Sequence, residues 1–215
     1  MHQALRRMHS SPRPAGTTLD RFRLNALVTS VALGGRRRRV YRRITALSGT
    51  GPGMRVLDVG CSSGYLARML AAAAGPSGAV TGLDPSAAAL AYARRRAPGN
   101  ATFQSGVAQD LSAFPDARFD VVTSTLAVHH VPARKRLDAF REMYRVTRPG
   151  GRLLVADFDP SRPPPPLHPG AARMRPAAAS AGPLDQLAAQ AGYRVEATGT
   201  MPLLRYVSAV KPETD

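Results

Sequence analysis

Cys61 is the only cysteine, so no disulfide framework is possible. Acidic residues are also few: 14 Asp and Glu stand against 30 Lys and Arg, a formal net charge of +16 with His neutral. Aromatics make up 6% of the chain and are not interleaved with the basic residues, which removes the stacking platform of a single-strand nucleic-acid binder. No run approaches the roughly 18 uncharged apolar residues that a transmembrane helix requires. Apart from the adjacent His129 and His130, the histidines are scattered at His2, His9 and His168, so metal-ligand spacing is missing and no metal is expected. Lysine is nearly absent, with only Lys135 and Lys211. Arginine's abundance alongside Ala, Gly and Pro fits GC-rich coding as well as any selected charge.

The 215 residues are 44% hydrophobic, enough for one domain with a sizeable core and too many for disorder throughout. Residues 1–43 hold 11 Arg against Asp20 alone, net +10 of the +16. Such a segment attracts acidic surfaces weakly through its local potential, although a solvated arginine-rich helical face is the plainer reading. Residues 1–16 bear Arg and Ser without an acid, as transit peptides do, but lack an apolar core followed by a small-residue cleavage site. The apolar run 24–33 is flanked by arginines on both sides and reads as an amphipathic or core-docked helix. A cytoplasmic location is expected.

From Met54 onward, short apolar strands alternate with Ala-rich helical stretches, the pattern of a parallel sheet covered on both faces. Strands are expected at 55–59, 79–84, 101–105, 120–124 and 152–158, with helices at 65–74, 87–96 and 133–147 between them. The last helix carries Leu137, Phe140, Tyr144 and Thr147 as its buried stripe and stops at Pro149-Gly150-Gly151. Residues 159–182, with the run Pro163 to Pro166, read as a loop. A helix at 184–191 then precedes strands at 193–200 and 203–210, which form an antiparallel hairpin on the sheet edge. The expected fold is therefore α/β, a doubly wound, mostly parallel seven-stranded sheet with a C-terminal antiparallel hairpin. Residues 1–48 form a basic N-terminal segment with cap helices, and 49–215 form the main domain.

The sharpest motif is Val56-Leu57-Asp58-Val59-Gly60-Cys61-Ser62-Ser63-Gly64-Tyr65-Leu66, an apolar strand ending in an acid, a glycine-containing turn and a helix. Such a turn lets backbone approach a ligand near unsatisfied helix N–H groups. About twenty residues later the next strand ends in Leu83-Asp84-Pro85, where an acid can accept both hydroxyls of a ribose. The pairing points to a nucleoside ligand. The spacing Gly-x-Gly-x-x-Gly of a dinucleotide-dependent dehydrogenase is not met.

With these residues the chain resembles the class I S-adenosylmethionine-dependent methyltransferases, from about Leu19 to the C-terminus. Four landmarks follow in order: the loop 58–64, Asp84, Phe119-Asp120-Val121-Val122 leading into Leu126-Ala127-Val128-His129-His130-Val131, and Arg145-Val146-Thr147-Arg148-Pro149-Gly150-Gly151-Arg152-Leu153. The last two are similar to the small-molecule branch that includes the quinone C-methyltransferases. Leu24-Asn25 and Leu33-Gly34-Gly35-Arg36-Arg37 are similar to the N-terminal helices of that branch.

The resemblance implies a Rossmann-like fold and S-adenosyl-L-methionine as cofactor. Gly60, Cys61, Ser62 and Gly64 would line its methionyl part through backbone, with Asp58 orienting the amino group. Asp84 would hold the ribose and Pro85 would lie against the adenine. Val107 and Ala108 belong to the adenine-edge loop, and Thr123 and Ser124 to the wall near the sulfonium. Ser62 stands where the family usually has glycine, which is accommodated if its φ is negative. Val107 stands where an acid usually binds the adenine amino group, a loss of roughly 0.5–1.5 kcal/mol that Gln109 or Asp110 could offset.

His129 and His130 follow the fourth strand, and either could take a proton from a phenol or enol. The alternative is that one of the pair packs or hydrogen-bonds locally. No Asn-Pro-Pro-Tyr-type motif or second cysteine is present for nucleic-acid methylation, so nucleic acid is disfavoured as a partner. The N-terminal helices and the 159–182 loop are poor in polar recognition groups, which favours a hydrophobic or aromatic small-molecule substrate in bacterial biosynthesis. The competing function is a methyltransferase-like cyclase or isomerase that binds the cofactor without transferring methyl.

Overall fold

The computed structural model describes residues 36–159 and 183–213. The expected helix over 24–33 and the loop 160–182 lie outside the described residues. The chain runs through helix α1 (Arg37–Ser48), strand β1 (Arg55–Val59), α2 (Tyr65–Ala74), β2 (Ala79–Asp84), α3 (Ala87–Arg94), β3 (Ala101–Ser105) and β4 (Phe119–Thr125). Two short 3-10 turns follow, Val128–His130 and Ala133–Lys135. Then come α4 (Arg136–Val146), β5 (Thr147–Phe158), α5 (Leu184–Gln190), β6 (Arg194–Met201) and β7 (Leu204–Val210).

The seven strands form one sheet in the order β3-β2-β1-β4-β5-β7-β6. The first five are parallel to one another, and β7 runs antiparallel between β5 and β6. The strand order reverses between β1 and β4, and open α/β sheets bind ligands in the crevice at the carboxyl end of such a switch point. The sheet is buried on both faces, so β1 is apolar without alternation, and its residues divide between two core layers. Val56 packs with Ile44, Leu70, Val121 and Leu154 on one face. Leu57 and Val59 pack with Phe140, Met143, Leu153 and Val155 on the other.

Helix α1 explains the arginine cluster. Val40, Tyr41, Ile44 and Ser48 form its buried stripe, which leaves Arg38, Arg39, Arg42 and Arg43 to solvent. The helix stops at Gly49, whose φ of 71° is left-handed and whose N–H caps the carbonyl of Ala46.

Three local readings change. α4 begins at Arg136 after Pro132 and a 3-10 turn, and its buried stripe is Arg136, Ala139, Phe140, Met143 and Val146. Leu137 and Tyr144 are only half-buried: Tyr144 lies at the rim, edge-on to Tyr193 and under the Lys211 ammonium. β5 does not wait for Arg152. Gly150 donates to Lys211 O and Lys211 donates to Gly151 O, so the chain past β7 supplies ladder partners through the Pro-Gly-Gly stretch. Leu203 is not in a strand but turns the β6–β7 hairpin with φ 66°. Among the described residues no helix is long and apolar enough to cross a membrane.

Candidate active site

Three strands deliver an acid to the carboxyl edge of the sheet: β1 brings Asp58, β2 brings Asp84 and β5 brings Asp157. A cavity of about 590 Å³ opens above the β1–β4 switch point, within the range of small-molecule sites. Asp58, Gly60, Cys61, Ser62, Asp84, Pro85, Val107, Ala108, His129 and His130 all line it.

The turn after β1 is tightly wound. Gly60, Ser62 and Gly64 all have positive φ, at 77°, 48° and 70°. Gly60 has no room for a side chain, because a Cβ there would run into the Ala127 methyl. Gly60 N and Cys61 N both donate to Leu83 O, at 2.7 and 2.9 Å, which ties the turn to β2. Ser62 N donates to Asp84 Oδ2 at 2.8 Å, and Ser86 N donates to Asp84 Oδ1 at 2.9 Å. The condition of a negative φ, under which serine would be accommodated at position 62, is therefore not met. A left-handed non-glycine residue costs about 1–2 kcal/mol, and the charge-assisted bond to Asp84 holds it there. Ser62→Gly should raise stability by roughly 1 kcal/mol, or about 2–4 °C in Tm, with cofactor affinity unchanged. Thermal unfolding beside calorimetry checks this, and a fall in Tm would contradict it.

Several expected residues take other places. Gly64 lies behind the cavity, where a Cβ would sit 2.8 Å from the Phe103 ring. Thr123 and Ser124 are fully buried in β4 and do not line the cavity; Thr125, Leu126 and Ala127 form that wall. Thr123 instead pairs with Asp58 across the β1–β4 register and donates from Oγ1 to its Oδ1 at 3.0 Å. Cys61 is buried against Gly82, and burial pushes its thiol well above the usual range, as an inert packing thiol requires. Of the two side chains expected to replace the missing adenine acid, Gln109 lines the cavity. Asp110 turns aside to accept from Ser112 N.

Asp58 is 2% exposed, and its Oδ2 is buried with no hydrogen-bond partner. Burial, with a smaller contribution from the Asp84 charge, lifts its carboxyl to about 7 against the Thr123 hydrogen bond. A buried orphan acceptor at a cavity wall fits an ammonium group. Asp84, with each oxygen taking one backbone N–H, keeps lone pairs for two hydroxyls. Both features suit S-adenosyl-L-methionine.

On the far side, His129 and His130 sit on the 3-10 turn after β4. His129 Nδ1 lies 2.7 Å from Asp157 Oδ1, and His129 N donates to Asp157 Oδ2 at 3.0 Å. Both side chains are nearly closed to solvent. The carboxylate accepts Nδ1–H and so selects the tautomer with its lone pair on Nε2. The His130 ring packs beside His129 at 3.9 Å between centroids, and the Phe158 ring stands at 5.1 Å. Arg136, fully buried, donates to Val128 O at 3.2 Å, Val131 O at 3.0 Å and His129 O at 3.4 Å, which fixes the turn.

Asp157, Arg136 and the α1 residues Arg37 and Tyr41 were not singled out from the sequence. Asp157 had a readable signal, since Val155-Ala156-Asp157 repeats the apolar strand ending in an acid seen at Asp58 and Asp84. Of the four non-glycine residues with positive φ among the described residues, Ser62 and Leu126 line this cavity, where backbone strain is commonly stored. Among the described residues no group of three or more His, Cys, Asp or Glu comes together as a metal site.

Residues 56–151 match the methyltransferase domain family. The ubiquinone/menaquinone biosynthesis C-methyltransferase UbiE of Ectopseudomonas mendocina (strain ymp) is 41% identical over 132 residues, 59% of this chain and 50% of that protein. The protein of the same name from Pseudomonas fluorescens (strain SBW25) is 39% identical over the same shares. The chain thus spans about half the length of the curated relatives it matches. Among solved structures, a SAM-dependent methyltransferase from Aquifex aeolicus superposes with TM-score 0.69 at 19% identity, covering 86% of this chain and 97% of its own. The [4+2]-cyclase SpnF superposes at 0.64 with 18% identity, covering 82% and 81%; both likenesses are of fold.

Proposed function

We propose that this chain, whose residues 56–151 match the methyltransferase domain family, is an S-adenosylmethionine-dependent methyltransferase that methylates a hydrophobic or aromatic small molecule bearing an acidic hydroxyl. One observation carries the reading: Asp84, Asp58 and His129, which Asp157 backs from behind at Nδ1, line a single cavity at the sheet's switch point. The relatives' printed role in quinone biosynthesis favours an aromatic ring of that class. The apolar wall of Leu126, Val131 and Pro132 suits such a ring.

In this reading Asp84 accepts the ribose hydroxyls, Asp58 Oδ2 accepts the ammonium, and the backbone from Gly60 to Ser62 runs along the methionyl part. Pro85, Val107 and Ala108 pack on the adenine, with Gln109 as the polar side chain near its edge. When bound, S-adenosyl-L-methionine supplies an electrophilic methyl group. His129 Nε2 takes the proton from the substrate hydroxyl, and Asp157 at Nδ1 offsets the charge the ring acquires. His130 and Phe158 hold the ring in place, and Leu126 and Val131 keep water from it.

Incubation with methyl-labelled cofactor and a panel of hydroquinones and phenols tests the reading. Label in the product is expected. Conversion of the panel without label would point to cyclisation or isomerisation and overturn it. Asp84→Ala should weaken S-adenosylhomocysteine by roughly 1.5–3 kcal/mol, the worth of hydrogen bonds to a charged group. It should also lower Tm, since Ser62 N and Ser86 N lose their acceptor. An unchanged dissociation constant would remove Asp84 from the site.

A further inference from the structure

Among the described residues Arg37 is the only arginine or lysine that lines the cavity, whose wall also carries the carboxylates of Asp58 and Asp84. It is the first residue of α1, and its guanidinium lies over the Tyr65 ring at 3.9 Å and beside Tyr41 at 5.6 Å. This stacking fixes the plane of the fork, and the guanidinium also hydrogen-bonds the Tyr41 side chain. Its Nε is buried and has no hydrogen-bond partner. The same cavity therefore holds a buried donor without an acceptor and, at Asp58 Oδ2, a buried acceptor without a donor.

The two groups are not joined in an ion pair; Tyr41 stands within electrostatic reach of both, and burial pushes its hydroxyl up to about 12, with Arg37 opposing the rise and Asp58 adding to it. Leaving either group unmet is costly, and both are met at once by a ligand with an ammonium and a carboxylate on neighbouring atoms. The head of an α-amino acid is such a ligand.

Resting on the methyltransferase reading above, we infer that Arg37 binds the α-carboxylate of the cofactor's methionyl group, opposite the ammonium held by Asp58. α1 then belongs to the cofactor site, and Tyr65 and Tyr41 orient the guanidinium toward it.

Calorimetry with four ligands tests this on the full chain: S-adenosylhomocysteine, S-adenosylmethionine, its decarboxylated form, and 5′-methylthioadenosine, which lacks the amino-acid head. Arg37→Gln should weaken S-adenosylhomocysteine about 10- to 100-fold and leave methylthioadenosine within about twofold. Arg37→Lys, which keeps the charge without the fork, should fall between. Equal loss for both ligands would mean that Arg37 acts through the fold, and no loss for either would also overturn the inference. If Arg37→Gln does not fold, the wild-type protein still decides. Its affinity should fall about 10- to 100-fold when the carboxylate is removed from S-adenosylmethionine, and equal affinity would overturn the inference. Failure of the wild type to bind any of these nucleosides would instead overturn the methyltransferase reading on which it rests.

Discussion

His129→Asn should lower turnover by about 10²–10⁴ while leaving the affinity for S-adenosylhomocysteine nearly unchanged. The ring is nearly closed to solvent, its Nε2 included, it lies 2.7 Å from the Asp157 carboxylate, and its turn is clamped by Arg136. A base held this firmly needs no reorganisation when the proton moves. Asp157→Asn should cost a comparable amount for a different reason. An amide turned to donate toward Nδ1 drives the proton to Nε2, the nitrogen that must be free to accept. Both losses should shrink as pH approaches the substrate's own pKa, because an ionised hydroxyl no longer requires a base. Turnover of both variants at the wild-type level across that range would show that holding the substrate in line is sufficient.

Asp58→Asn should move stability and binding in opposite directions. Burial raises the Asp58 carboxyl to about 7, against roughly 3.9 in an unfolded chain. The folded state therefore keeps its proton where the unfolded state has lost it. The stability linked to this group is fully present below about pH 4 and is lost as pH rises through about 7. At pH 8 the wild-type protein holds a buried carboxylate with one oxygen unmet. Asparagine keeps an acceptor for Thr123 Oγ1 and removes the charge. The ligand-free variant should then be more stable at pH 8 by the order of 2–4 kcal/mol, or at least about 5 °C in Tm, with the advantage shrinking as pH falls below about 7 and vanishing near pH 4. Affinity for S-adenosylhomocysteine should fall roughly 10- to 100-fold at pH 8, and the wild-type rise in affinity between pH 6 and 8 should be absent. Melting curves and calorimetry across that range check both signs. A variant no more stable than wild type at pH 8 would mean that Asp58 is already adequately paired.

The bounds of β1, α2, β2 and β3 coincide with those expected from sequence because each strand is short and its apolar run is cut by a glycine or an acid at the edge where the ligand site lies. The start of β5 was hidden, because Pro149-Gly150-Gly151 is a stop signal locally and joins the ladder only through Lys211, far along the chain. The α4 stripe shifted by one face for a related reason: a buried arginine, Arg136, occupies a position that hydropathy assigns to solvent. In the site, the residues on the glycine turn and at the ends of β1 and β2 were readable, since their spacing is set by one strand–turn–helix unit. Thr123, Asp157 and Arg37 act on groups that only the folded sheet brings near, across a strand register, a strand end and a helix start. The left-handed Ser62 depends on the acceptor that Asp84 offers from the neighbouring strand.

The Ala127 methyl occupies the space where a side chain at Gly60 would begin. For anyone redesigning this protein toward bulkier compounds, that makes position 127 the wrong place to start. Trimming it to glycine would open a gap against the Gly60 turn, which the proposed function gives to the cofactor rather than to the acceptor molecule, and enlarging it would press on that turn. Libraries aimed at new acceptors should leave 60 and 127 as a fixed pair and diversify Leu126, Val131 and Pro132.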